Sequence, residues 1–281
     1  MPGCAPTHLC IATLYTSEIA SLAERTNPSK FAYCQRWGYV FECHAGTLDP
    51  SRPPAWSKLR IVRNLLDRYQ WVFWLDADAL IMNPEVRAET LLDDRYNLIL
   101  AKQPGPDPWG NHHLNTGSFF IKSDKWSKRL LDDWYDQIQF IDHPGWEQEA
   151  FLHLYRQRDD VRDRVKVCAD ARKMNAIVSS YGKGDFVFHA LGLRRTEQNK
   201  LALVEETIRT DARIPESIQP EIEVLLFHYD EEESALLECT LPSLLLDKSG
   251  IARNRIRFVK AFERSFAETY GWEEIHHYWF D

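Results

Sequence analysis

The feature that most constrains how this 281-residue chain can fold is Trp71-Val72-Phe73-Trp74-Leu75, five apolar residues in a row that end at Asp76-Ala77-Asp78. A run this short, apolar and aromatic reads as a strand covered on both faces. Other runs flank it. His8–Leu14 reads as a first strand and Tyr39–Cys43 as a second, with Asn97–Ala101, Ser118–Ile121, a stretch within Gly182–Gly192 and Glu221–Phe227 as further candidates. The intervening segments carry helical signals. Ser17 caps one helix through about Arg25, and Pro28 opens another that ends at Gly38. Trp56, Leu59, Val62, Leu65 and Leu66 recur at helical spacing in a segment ending near Tyr69, and Trp126, Leu130, Leu131, Trp134 and Ile138 make the next apolar face. Thr196–Arg209 reads as a charged helix and Arg255–Tyr270 as an amphipathic one.

Strands separated by helices imply right-handed crossovers and an α/β fold, a mostly parallel central sheet with helices on both faces. Ligands in such folds bind outside the carboxyl ends of the strands, which directs attention to the residues just after each one. The boundary falls near residue 195: 1–195 reads as the main domain and 196–281 as a helical C-terminal appendage packed on the same core.

Charge narrows the function classes. With 34 Lys plus Arg against 42 Asp plus Glu, the net charge is −8, the opposite of the basic stripe a nucleic-acid binder carries. No apolar stretch approaches the roughly 18 residues of a transmembrane segment. The first Lys or Arg is Arg25, so the start lacks the charged region of a signal peptide. Six cysteines without close pairing then read as reduced thiols, and a soluble, cytoplasmic chain is the expectation.

Asp76 and Asp78 end a buried strand at its open edge, where two carboxylates at i and i+2 can offer oxygen ligands to Mg²⁺ or Mn²⁺. A solvated strand end is the plain alternative. His189 closes the apolar run Phe186–Phe188 and precedes Ala190-Leu191-Gly192 and the basic pair Arg194-Arg195. It reads either as a core histidine or as a nitrogen ligand, with Gly192 admitting close backbone approach and Arg194 able to fork onto phosphate oxygens. At about 4 Å and an effective dielectric of about 20, each unit-charge pair between a diphosphate and these aspartates is repulsive by about 4 kcal/mol. A divalent ion between them reverses the sign.

Five motifs occur in one order: Trp56-Ser57-Lys58-Leu59, WVFWLDADALIMN over 71–83, LNTGSFFIKSDKWS over 114–127, Glu147-Gln148-Glu149-Ala150, and GDFVFHALG over 184–192. Together with the opening IATLYTSEIASLAERTNPSKFAYCQRWGY over 11–39, this pattern resembles the glycosyltransferase family of the fungal Golgi α-galactosyl- and α-mannosyltransferases and the plant xyloglucan α-xylosyltransferases. The likeness spans about residues 8–195.

The resemblance implies a GT-A fold for 1–195 and a retaining, metal-dependent transfer of a hexose or pentose from a nucleotide-sugar donor, a UDP-sugar first, to a glycan acceptor. It also implies site roles. Asp76, Asp78 and His189 would hold Mn²⁺ or Mg²⁺, Asp76 alternatively the ribose, and Thr13 and Tyr15 would line the base and ribose pocket. Lys58 would reach the nucleotide or its phosphates, Asn115, Thr116 and Gly117 would face the donor sugar, and Gly192 would lie against the donor. Glu147 and Gln148 would stand beside the reacting carbon, and Arg194 would hold the leaving diphosphate. Two positions depart from the family pattern: Glu147 replaces the usual Asp, and Arg194 replaces the Lys of the plant enzymes. A homodimer contact or an acceptor cover are the roles open to the C-terminal third.

Two other classes compete. Haloacid-dehalogenase-type phosphatases place Asp-x-Asp after an apolar strand, but on the first strand and with Thr or Val where this chain has Leu80. A nucleotide-sugar or glycan binding module with a degenerate site is the other, against which stand the intact Asp76 and Asp78.

Overall fold

The computed structural model describes residues 9–102, 114–191, 197–211, 224–228 and 256–260. Strands β1 (Leu9–Tyr15), β2 (Val40–Ala45) and β3 (Trp71–Leu75) lie side by side in parallel with β1 in the middle, linked by helices α1 (Ala20–Trp37) and α2 (Ser57–Leu65). All five residues of β3 are buried, as an uninterrupted apolar strand requires. Beyond it the direction reverses. β6 (Leu114–Lys122) runs antiparallel to β3 and to β5 (Leu98–Lys102), and β7 (Val165–Cys168) pairs in parallel with β5 at the edge. On the far side, β10 (Val224–His228) adds in parallel to β2, and β11 (Ile256–Lys260) to β10. The eight-stranded order is β11-β10-β2-β1-β3-β6-β5-β7. Five of its seven pairings are parallel, as expected for an α/β chain.

A second sheet of three strands stands over one face: β4 (Ala79–Ile81) pairs antiparallel with β9 (Val187–His189), and β8 (Ala176–Ile177) pairs in parallel with β9. Two apolar layers sandwich the main sheet. One joins Leu9, Ile11, Phe41, Phe73 and Phe120 to α1 and to Phe186 near the small sheet, with the Phe73 and Phe120 rings stacked at 3.9 Å. The other joins Cys10, Ala12, Val72, Trp74 and Phe119 to α2, α3 (Lys125–Tyr135) and α4 (Trp146–Gln157). Alternating residues of β1 thus serve opposite layers, the period-2 geometry of a strand. Between α4 and β7 lies the short α5 (Asp159–Arg164), and α6 (Glu197–Asp211) packs Val204 against Leu22 of α1, Leu80, Met82 and Phe188.

Local chemistry explains where these elements start and stop. Asp124 caps α3 by accepting from the Ser127 N–H at 2.7 Å. Gly38 ends α1 at φ 72°, a left-handed conformation that favours glycine. Pro28 does not divide the segment as expected; it lies inside one continuous α1. The carbonyl it leaves without an amide partner is that of exposed Glu24, on the solvent side. Leu22 and Ala23 before it and Phe31 and Cys34 after it are all buried, which holds both halves in line. The helix expected to reach Tyr69 ends at Leu65, since Arg68 forks onto buried Glu42 at 2.6 and 2.8 Å and Tyr69 donates to the same carboxylate at 2.6 Å.

Two strand expectations shift as well. β6 begins at Leu114 rather than Ser118 because its polar start pairs with Ala101 and Lys102 past an irregularity in β5. The helix expected over Arg255–Tyr270 is corrected at 256–260, which form β11: Ile-Arg-Phe-Val-Lys is rich in strand-favouring residues and completes a parallel ladder with β10. Cys10, Cys34 and Cys43 are buried free thiols and Cys168 is a half-buried one. No helix among the described residues is long and apolar enough to cross a membrane.

Candidate active site

The carboxyl end of β3 opens onto Asp76. Its backbone N–H donates to the Gly117 carbonyl at 2.8 Å, a contact that exists because β6 is antiparallel to β3 in a register pairing Leu75 with Ser118. Asn115, Thr116 and Gly117 therefore overhang the end of β3 and flank the acidic turn. The chain then enters β4, and the antiparallel β4–β9 pair sets Ala79 opposite His189. That pairing returns His189 to Asp78 across 111 residues, with Nε2 3.0 Å from Oδ1. One ligand atom from each of Asp76, Asp78 and His189 lies within 4.8 Å of the others.

The tautomer of His189 follows from its neighbours. Asn115 Oδ1 accepts the Gly117 N–H and the Asn175 Nδ2, both at 2.8 Å. Asn175 is thereby oriented with Oδ1 toward His189 Nδ1 at 3.0 Å, and a carbonyl oxygen there demands Nδ1–H. A neutral ring then offers its lone pair at Nε2, directly at a carboxylate oxygen. Two lone pairs do not rest 3.0 Å apart unaided: either a proton on Nε2 or a cation must lie between them. This fits the donor chemistry of a divalent-ion site, in which the two carboxylates and His189 Nε2 are the residues able to hold Mn²⁺ or Mg²⁺.

Lysines balance the acids. Lys58, near the start of α2, is buried with its ammonium 2.9 Å from Asp76 and 2.8 Å from Glu147. Burial alone would lower its pKa, but these two carboxylates outweigh burial and raise it, so Lys58 stays charged. Glu147 moves upward despite the same contact, because burial is its largest influence and the Asp76 charge adds to it. The pair does not shift symmetrically: one ammonium serves two acids. Asp78 shows the opposite balance, its burial overcome by His189 and by the Lys200 ammonium, which donates to Oδ2; its carboxyl lies well below the usual range. Asp76 Oδ1 also accepts from the Trp74 indole at 2.7 Å.

Lys30 of α1 lies beneath the turn, fully enclosed and donating to Asn27 Oδ1 at 3.1 Å, with Thr13 and Thr26 hydroxyls at 3.4 Å. Desolvation pushes its pKa down to about 8 against the pull of Cys43, Asp78 and Asp76. The Thr26 hydroxyl donates to the Ala77 carbonyl at 2.5 Å, tying the middle of the turn to α1.

The residues expected from sequence thus divide. Asp76, Asp78, His189, Lys58, Asn115, Thr116, Gly117 and Glu147 form one connected cluster, and Gln148 joins it by accepting the Thr116 N–H at 3.2 Å. Thr13 contacts buried Lys30, and Tyr15 is buried at the end of β1. Gly192 and Arg194 lie outside the described residues. Asn175, Lys30, Trp74 and Lys200 were missed. Lys30 stands on the helix face shared with Ala23, Phe31 and Cys34, a signal of burial; Asn175 and Lys200 carry none. At the rim, Trp146 takes φ 44° and is 39% exposed, immediately before Glu147.

A mostly parallel sheet with its acidic turn after the third strand is the GT-A glycosyltransferase fold. The solved glycosyltransferase involved in glycosylation of the major capsid of PBCV-1 shares it at a TM-score of 0.57 and 18% identity, over 70% of this chain and 98% of that one. The match to the galactosyl transferase GMA12/MNN10 family covers residues 12–113 and 109–200, and the chain belongs to that family. Its relatives include an α-1,2-galactosyltransferase of Schizosaccharomyces pombe, 25% identical over 63% of this chain and 57% of that protein. The probable α-1,6-mannosyltransferase MNN10 of Saccharomyces cerevisiae is 27% identical over 49% of this chain and 43% of its own length. A probable xyloglucan 6-xylosyltransferase of Arabidopsis thaliana is 30% identical over 38% and 24%. The chain therefore spans between about a quarter and little more than half the length of these relatives.

Proposed function

We propose that the chain is a metal-dependent glycosyltransferase that moves a hexose or pentose from a nucleoside diphosphate sugar, a UDP-sugar in first place, to a glycan hydroxyl with retention at the anomeric carbon. The observation that carries this reading is the convergence of Asp76, Asp78 and His189 at the carboxyl edge of the sheet, with one ligand atom from each within 4.8 Å of the others. Mn²⁺ is the favoured ion and Mg²⁺ the second. When bound, such an ion supplies positive charge to the diphosphate as it departs.

The chain's own groups do the rest. Lys58 holds Asp76 and Glu147 in fixed positions, and the Asn115–Asn175 pair fixes the His189 ring. The Thr116–Gln148 hydrogen bond presents Gln148 beside the loop that overhangs Asp76, where a donor sugar would lie. Retention rests on the family likeness. The names of the relatives support hexosyl or pentosyl transfer without choosing between them.

The test is a thermal-shift panel of UDP and GDP, with and without Mn²⁺, on wild type and Asp78→Asn. A ligand at about 100 times its Kd adds about 2.7 kcal/mol, worth roughly 2–4 °C per kcal/mol for a chain of this size. A UDP shift that needs Mn²⁺ and disappears in the variant is expected. A shift with GDP alone moves the donor to a GDP-sugar. No shift with either nucleotide overturns the reading, and tight binding without turnover of any nucleotide sugar leaves a binding module instead.

A further inference from the structure

Among the described residues, Lys200 is the cation of this cluster that comes from outside it. Lys58 is locked between two carboxylates, and Lys30 is enclosed behind the turn. Lys200 instead reaches in from the first turn of α6 with about a quarter of its side chain exposed, and its ammonium donates to Asp78 Oδ2. His189 takes the other oxygen, so both oxygens of Asp78 are engaged by positive or proton-bearing groups. The helix that delivers Lys200 is firmly seated. Arg25 of α1 forks onto Glu205, with one arm at 2.9 Å, Glu197 accepts the Leu22 N–H at 3.3 Å, and Val204 is buried among Leu22, Leu80 and Phe188. The placement of the ammonium on Asp78 is therefore built into the fold.

We propose that Lys200 is a tethered placeholder cation that neutralises Asp78 in the metal-free chain and transfers to the donor diphosphate when a divalent ion takes that carboxylate. This inference rests on the metal-dependent reading above and names the regulation of the same site. An ammonium and a divalent ion repel one another at one carboxylate, so Lys200 competes with the metal. The lysine side chain is a point charge on a flexible four-carbon stem, able to swing by several ångströms without moving its helix. A diphosphate arriving with the ion offers it a second anion nearby. The metal then binds weakly alone and tightly with nucleotide, and linkage makes the effect reciprocal.

The experiment measures free Mn²⁺ by electron paramagnetic resonance while the full chain is titrated, with and without saturating UDP, and GDP in parallel, for wild type, Lys200→Met and Glu205→Gln. Lys200→Met is expected to bind Mn²⁺ alone at least tenfold more tightly than wild type, and to lose most of the gain in affinity that nucleotide confers. Glu205→Gln loosens the α6 anchor while keeping the ammonium, so its Mn²⁺ affinity should stay within threefold of wild type. If Lys200→Met binds Mn²⁺ no more tightly than wild type while nucleotide-assisted binding persists in both, the placeholder role is overturned and the transferase reading stands. Equal tightening in Glu205→Gln also overturns it, since loosening of α6 would then be the cause. If no protein binds Mn²⁺ with or without either nucleotide, the metal-dependent reading falls and this inference with it.

Discussion

A β-carbon on Gly117 would lie 2.2 Å from Cε1 of His189 and 2.9 Å from Oδ2 of Asp76, so the absence of a side chain at this one position of β6 is what lets the His189 ring approach the acidic turn. The constraint is steric rather than conformational, and it falls on a residue whose amide and carbonyl are both already engaged.

Gly117→Ala should therefore push the imidazole off Asp78. Overpacking of this kind costs about 1–3 kcal/mol, read as a lower midpoint in urea. Mn²⁺ affinity in the presence of UDP should fall by more than tenfold. An alanine variant with wild-type metal binding would mean that the His189 ring has somewhere else to go and still ligates.

Asn175 sets the tautomer of His189 through Nδ1. Partners that orient a ligand imidazole commonly cost 10–100-fold in metal affinity when removed. Asn175→Ala should show a loss in that range by isothermal titration with Mn²⁺ and UDP, with Asn175→Asp, which keeps an acceptor at the ring, restoring most of it. A loss equal in both variants would assign Asn175 to packing alone.

Lys30 makes the stability of the fold depend on alkaline pH. Unfolded, the ammonium keeps its proton to the ordinary value of 10.5; enclosed under the turn, it releases it near 8. Between these values the unfolded chain holds more protons, so stability rises with pH across that window, and the cost of the buried charge is fully present below it. A displacement of this size corresponds to about 3 kcal/mol. Denaturant titrations from pH 7.5 to 10 should show wild type gaining stability relative to Lys30→Met; a difference that does not change with pH would place the proton elsewhere.

Much of the site was legible because the sheet puts its chemistry at strand ends. Asp76 and Asp78 follow five buried apolar residues, and His189 closes another apolar run, so a candidate site at this edge could be read from the chain. The family resemblance, carried by the order of five motifs, implied roles for Lys58, Asn115, Thr116, Gly117, Glu147 and Gln148, and the structure gathers them around the acidic turn. Asn175 and Lys200 could not be reached this way, because their roles come from a hydrogen bond 14 residues distant in sequence and an ion pair 122 residues distant. The same limit explains Pro28 and β11. Local rules read a helix break and a helix, whereas burial on both sides of Pro28 and pairing with β10 outweighed them.

The sequence by itself determined the alternation of strands and helices, the aromatic strand buried on both faces, and the residue types at the edge, because periodicity and polarity act over a few residues. Only the tertiary structure decided that β9 turns back antiparallel on β4, setting His189 against Asp78, and that α6 lays Lys200 on the other oxygen of the same carboxylate. Those choices belong to strand register and helix docking. They depend on apolar surfaces far apart in the chain finding one another, and no local pattern encodes that.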